Sequence, residues 1–148
     1  MKEEKDRKPS MGKKLTRRES REAAFLTAFA ATFEPEMPSL PADEAQPEVD
    51  AFAKQLLAAM QNHAEELDAI ITSHLKGWTL NRVPRVSLVA LRLALAEMKY
   101  GEEQKAGVAI NEAVELVKKY GADTDYQFVN GLLGAVAREQ EESVEPQC

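Results

Sequence analysis

Between residues 49 and 136 the apolar side chains return every three or four positions, in five separate stripes. Val49, Phe52, Ala53, Leu56, Leu57 and Met60 make the first, and Leu67, Ile70, Ile71 and Leu75 the second. Leu88, Leu91, Leu95 and Met98 make the third, Val108, Ile110, Ala113, Val114 and Val117 the fourth, and Phe128, Val129, Leu132, Leu133 and Val136 the fifth. This is the period of an α-helix with one apolar face, and such a face must be covered by a neighbour. No alternating pattern bounded by turn residues marks a strand, and no internal repeat appears. The expected fold class is therefore all-α.

Helix boundaries are punctuated by residues with a physical reason to be there. Thr16-Arg17-Arg18-Glu19 has the spacing of a capping box, in which hydroxyl and carboxylate exchange hydrogen bonds with each other's backbone amides. The helix that starts there carries Ala24, Phe25, Ala28, Phe29 and Ala31 to Phe33 on one side, with Arg17, Arg18 and Arg21 expected on the polar side. Pro35, Pro38 and Pro41 end it and open a Pro-rich loop over 35–47. Asn62-His63 is the expected joint between the next two helices, and Gly77 the end of the second. Trp78 and Leu80 are expected to pack into the core. Ser87 is a candidate cap after Pro84, and Gly101 and Gly121 are candidate stops. The last helix should begin near Thr124-Asp125.

The chain has 148 residues, the size of one domain, and 44% hydrophobic content with only seven Gly and seven Pro. Residues 1–14 are too charged and too poor in apolar side chains to fold, and read as a flexible basic N-terminal arm. Residues 15–138 form the helical domain, and 139–148 an acidic flexible tail.

Charge is unevenly distributed along this chain. Its formal net charge is -6, yet residues 1–21 hold nine Lys/Arg against four Asp/Glu, which is +5 and leaves -11 for the rest. A basic end on an acidic body suits local contact with a polyanion. Three arginines at a helix start oppose the helix dipole, so an anion bound beside them would account for their presence.

Several function classes are excluded by what is missing. His63 and His74 are not at metal-ligand spacing, and Cys148, the one cysteine, is the last residue. No phosphate loop or nucleophile elbow occurs, and Glu65, Glu66, Asp68, Glu102 and Glu103 read as a solvated helix face. The expectation is a protein that binds and does not catalyse, without metal or cofactor. No apolar run approaches the roughly 18 to 20 residues of a membrane span, and no signal peptide is apparent, so a cytoplasmic location is expected.

Three stretches, taken together and in order, resemble the NusB family of bacterial transcription antitermination factors. They are Arg17-Arg18-x-x-Arg21-Glu22-Ala23-Ala24, Leu91-Arg92-Leu93-Ala94-x-x-Glu97-Met98, and Ala109-Ile110-Asn111-Glu112-Ala113-Val114-Glu115-Leu116-Val117. The third continues to Tyr120-Gly121 and Phe128-Val129-Asn130-Gly131-Leu132-Leu133. The resemblance implies a compact helical domain of two small helical subdomains. It also implies an adaptor that pairs with the ribosomal protein NusE and binds single-stranded boxA-like RNA. That complex joins RNA polymerase with other Nus factors and suppresses premature termination of ribosomal RNA transcription. Both a monomer and a homodimer are compatible with it.

Carried onto this sequence, the resemblance implies RNA contact by Lys13, Lys14, Arg17, Arg18 and Arg21, with Tyr120, Tyr126 and Phe128 stacking on bases or shaping the surface. Phe128 also has the spacing of a core residue. Glu97 stands where the family presents a carboxylate to its partner protein. Asn111, Asn130 and Gly131 read as structural, the amides satisfying buried backbone and the glycine admitting a close helix. The chain departs from the family at Leu26, at Ala28-Phe29, at Ala96, where Tyr is usual, and at Ala106-Gly107, where Pro is frequent. A NusB-like domain is also found fused to ribosomal RNA cytosine-5 methyltransferases, but 148 residues leave no room for such an enzyme. Two alternatives stand beside the adaptor: an RNA-binding accessory domain related to those methyltransferases, and a helical scaffold that binds only protein.

Overall fold

The computed structural model describes residues 14–33 and 49–144. Lys13 and nearly all of the N-terminal arm, the loop at 35–47 and the last four residues lie outside them. Among the described residues there are six α-helices and no strand. They are α1 (Arg17–Ala31), α2 (Ala51–Asn62), α3 (Ala64–Thr72), α4 (Arg85–Tyr100), α5 (Ala106–Tyr120) and α6 (Asp125–Val144). A 3₁₀ turn at Leu80–Arg82 precedes α4. None of these helices is long and apolar enough to cross a membrane.

Local chemistry sets most of the boundaries. The Thr16 hydroxyl accepts from the Glu19 amide at 3.0 Å, and the Thr16 amide donates to the Glu19 carboxylate at 2.9 Å, so the capping box forms in full. Asp50 caps α2 by accepting from the Ala53 amide at 3.0 Å, while its other oxygen accepts from the Ser20 hydroxyl at 2.6 Å and ties α1 to α2. His63 is the joint of α2 and α3, as its position predicts. Gly77 takes a φ of +80°, a conformation that strains residues with a β-carbon. Gly101 ends α4 where a β-carbon would stand 2.5 Å from the Glu97 carbonyl oxygen.

The α4 helix is the element on which the others converge, touching α1, α2, α3, α5 and α6. It contributes Val89, Ala90, Leu91, Leu93, Ala94 and Leu95 to a continuous core shared with Phe25, Leu56, Leu67, Ile71, Val117, Val129 and Leu133. Fully burying one such large side chain stabilises the fold by about 1.5–3 kcal/mol, so the packing around α4 dominates the energetics. An N-terminal group, α1–α3, is thus joined to a C-terminal group, α4–α6, through one shared helix.

Five expectations need correction. Trp78 does not enter the core; it is 48% exposed, its ring lying flat against Phe128, while Leu80 does pack partly inside. Ser87 is no cap: Pro84 supplies a fixed φ at the helix start, and Ser87 falls in the first turn, fully buried. Asn111 and Asn130 are exposed, so their amides do not satisfy buried backbone. Gly131 does not admit a neighbouring helix, because a β-carbon there would meet nothing within 4 Å. Finally, α6 runs on to Val144, past Glu139, whose carboxylate pairs with His74 at 3.0 Å.

Candidate nucleic-acid interface

The capping box fixes the first turn of α1 and with it the direction of three arginines, each of which meets a carboxylate from the α4–α5 side of the molecule. Arg17 reaches Glu102 at 3.4 Å and lies over the Phe52 ring, 4.1 Å from its centre. Arg18 makes a two-bond fork with Glu112, Nε at 3.1 Å and Nη2 at 3.0 Å. Its side chain stays 65% exposed, which leaves the outer edge of the guanidinium open to a ligand. Arg21 makes a second fork, with Glu97, at 2.9 and 2.6 Å.

That last pair corrects two expectations at once. Helical spacing puts Arg21 on the polar side of α1, and the family resemblance puts Glu97 at a protein-binding surface; both are buried, with side chains only 10% and 9% exposed. The physical reason is that a buried cation must be paired, and bidentate Arg–carboxylate geometry satisfies both groups best. Neither is placed to touch a partner; together they pin the second turn of α1 to α4.

Beside Arg18 the end of α5 supplies further charge. Lys119 donates to Glu22 at 2.6 Å, and the Tyr120 hydroxyl donates to the same carboxylate oxygen. The lysine first and the tyrosine second hold the Glu22 carboxyl below the usual carboxylate range, and Glu22 in turn raises Tyr120 above its ordinary value. The Tyr120 ring is stacked on Phe25, 5.5 Å between centres, so the hydroxyl is fixed from both ends. Lys118 sits over the Tyr126 ring at 4.8 Å. Arg18, Arg21, Glu22, Glu112, Lys118 and Lys119 border an open groove of about 310 Å³. Glu115, 3.8 Å from Lys118, borders it as well, so each cation of the groove faces a carboxylate, and a bound anion would share the exposed edges of Arg18, Lys118 and Lys119 with those partners.

The structure therefore brings Arg17, Arg18, Tyr120 and Tyr126 to one end of the molecule, with Lys14 exposed just before α1. Phe128 is half-buried, one turn along α6, with Trp78 on its ring at 5.8 Å. Lys118 and Lys119 do not stand out in the sequence as binding residues; they read as cations completing a helix C-terminus, and only the return of α1 reveals the groove beside them. The paired doublet itself is the available signal. Among the described residues no group of three or more His, Cys, Asp or Glu converges as a metal site.

A model of the NusB family matches residues 18–138. The transcription antitermination protein NusB of Limosilactobacillus fermentum is 40% identical over 131 residues, covering 81% of this chain and 91% of that protein. The NusB of Geobacillus kaustophilus is 38% identical, covering 82% and 95%, and that of Bacillus subtilis 35%, covering 83% and 98%. Among solved structures, T. maritima NusB superposes with a TM-score of 0.72 at 30% identity, covering 85% of this chain and 93% of that one. A complex of the antitermination factors NusB and NusE with double-stranded RNA contains a chain that matches with a TM-score of 0.68 at 30% identity, covering 83% and 96%.

Proposed function

The chain belongs to the NusB family, and from that premise we propose that it works as a transcription antitermination factor. In this reading it binds a boxA-type RNA together with a NusE-type ribosomal protein. The assembly joins other Nus factors and RNA polymerase and suppresses premature termination of ribosomal RNA transcription. The observation that carries the reading is the match, over 96% of its length, to a chain in a solved NusB–NusE–RNA complex. The curated relatives are matched over 91% or more of their own lengths, so the likeness covers whole antitermination proteins.

The residues divide by what they can reach. Lys14, Arg18, Lys118 and Lys119, with the outer edge of Arg17, supply phosphate contacts, and Tyr120 and Tyr126 shape the surface between them. Lys13, outside the described residues, is the neighbouring cation in sequence. Arg21 and Glu97 act as positioning residues, holding α1 so that Arg18 faces outward. The RNA-binding unit spans residues 15–138, and it acts by binding, without turnover.

A basic partner fits the remaining surface. Glu102 and Glu103 are exposed between α4 and α5, beside the arginine end of α1. A basic ribosomal protein docking there would extend the positive surface along the RNA, so that each ligand tightens the other by the same factor. Labelled boxA RNA titrated with this chain, with the NusE-type protein and with their mixture measures that factor, expected at roughly 5- to 150-fold. A mixture that binds no better than its tighter component overturns the cooperative reading.

A further inference from the structure

The three arginines that mark the basic end are each neutralised by a carboxylate, whereas Lys76 and Arg82, like Lys14, Lys54 and Arg138, are exposed cations without such a partner among the described residues. The side chains of Lys76 and Arg82 have no hydrogen-bond or ion-pair partner among the described residues, and they flank the chain's one tryptophan in sequence. Trp78 is 48% exposed, yet its ring is held: Phe128 lies against one face at 5.8 Å with the planes 14° apart. Gly77, Trp78 and Arg82 line a cleft of about 440 Å³, and no carboxylate is among the described residues of its wall. On the far side of Phe128 a groove of about 770 Å³ runs over Gly131, with Lys76 and His74 at its edge and Glu139 at its end.

We infer that the Trp78 patch is a second contact for single-stranded RNA, in which a base stacks on the free face of Trp78 while Lys76 and Arg82 take the flanking phosphates. The proposal rests on the RNA-binding reading above and adds a site to it. An exposed aromatic braced from behind is a platform already in its bound form, and base stacking needs a ring with one open face. Two cations beside the ring, without a carboxylate partner among the described residues, suit an anion as the occupant. A basic protein would be repelled from this spot, and an acidic one would gain nothing from the ring geometry.

Because Trp78 is the one tryptophan, its emission reports on this patch alone. The full chain is titrated with a boxA-type single-stranded RNA, once reading Trp78 fluorescence and once reading the anisotropy of a label on the RNA. Quenching of Trp78 in step with binding is expected, and none on adding the same sequence as a duplex, whose bases are already stacked. Trp78→Ala should weaken binding about tenfold and Trp78→Phe clearly less. Lys76→Gln with Arg82→Gln should flatten the slope of log K against log salt by about 0.7 for each phosphate that the variant no longer neutralises. RNA that binds by anisotropy with Trp78 emission unchanged and Trp78→Ala unaffected overturns the second contact and leaves the family reading intact. Absence of any RNA binding, alone or with the partner protein, overturns both. A shift of Trp78 emission on adding the partner without RNA assigns the patch to protein and also overturns the inference.

Discussion

Arg21 on α1 and Glu97 on α4 form a two-bond fork inside the protein, 2.9 and 2.6 Å, with about a tenth of either side chain exposed. Removing one member of a buried pair strands the other charge, at a cost of about 3–5 kcal/mol. Glu97→Ala and Arg21→Ala should each lower stability by about that much in urea unfolding. Arg21→Met with Glu97→Leu, which removes both charges and keeps the bulk, should recover most of the loss. Single replacements that cost less than about 1 kcal/mol would mean that the pair behaves as a surface ion pair.

Binding of RNA should depend on the outward cations and not on Arg21 directly. Arg18→Gln, Lys118→Gln and Lys119→Gln together should weaken boxA RNA binding and flatten its salt dependence by about 0.7 per phosphate left without its cation. Helical circular dichroism should stay unchanged, since all three side chains are at least half exposed. An unaltered salt slope would remove these residues from the RNA surface.

Stability should carry a histidine limb that rises toward acid. His74 places Nδ1 at 2.9 Å from the Ile70 carbonyl oxygen and Nε2 at 3.0 Å from the Glu139 carboxylate, so both nitrogens donate only when the ring is protonated. The Ile70 carbonyl first, and Glu139 after it, raise the ring above its ordinary value, against burial and the charge of Lys76. A raised folded-state value means that this stabilisation is full below about pH 6.5, the unfolded value, and is lost as pH rises through the folded one. Thermal melts from about pH 5.5 to pH 8 should show that loss in the parent chain and a smaller one in His74→Gln. Identical profiles would disconnect His74 from the C-terminal half of α6.

Gly131 sits in the interior of α6 with open space where a β-carbon would be. Glycine in a helix interior is worse than alanine by about 1 kcal/mol, so Gly131→Ala should stabilise the protein by up to that amount in urea unfolding. A destabilised variant would mean that α6 packs more closely there than its open groove indicates.

The features legible in the sequence are those decided within one or two helical turns. Thr16 and Glu19 find each other because they are three residues apart, and Gly101 and the Asn62-His63 joint stop helices by backbone chemistry alone. The burial of Arg21 is not legible, because helical spacing gives the angle of a side chain around its own axis and not what arrives opposite; Glu97 comes from another helix. The same holds for Trp78. Its apolar ring predicts burial, but Phe128 covers one face and no other ring among the described residues stacks on it. Lys118 and Lys119 likewise have a sufficient local explanation as helix-terminal cations, which hides their place beside Glu22 and Arg18.

The convergence of five helices on α4 also sets an order of assembly. Packing α4, α5 and α6 needs only neighbours in sequence, whereas α1 must return across the α2 and α3 segments to reach α4 and α5. Hydrogen exchange should accordingly be slowest in α4 and fastest, among the helices of the core, at the arginine-bearing start of α1. The surface that meets RNA would then be the part of the molecule that comes undone first, and a bound partner clasping α1 would slow its opening before it altered anything else.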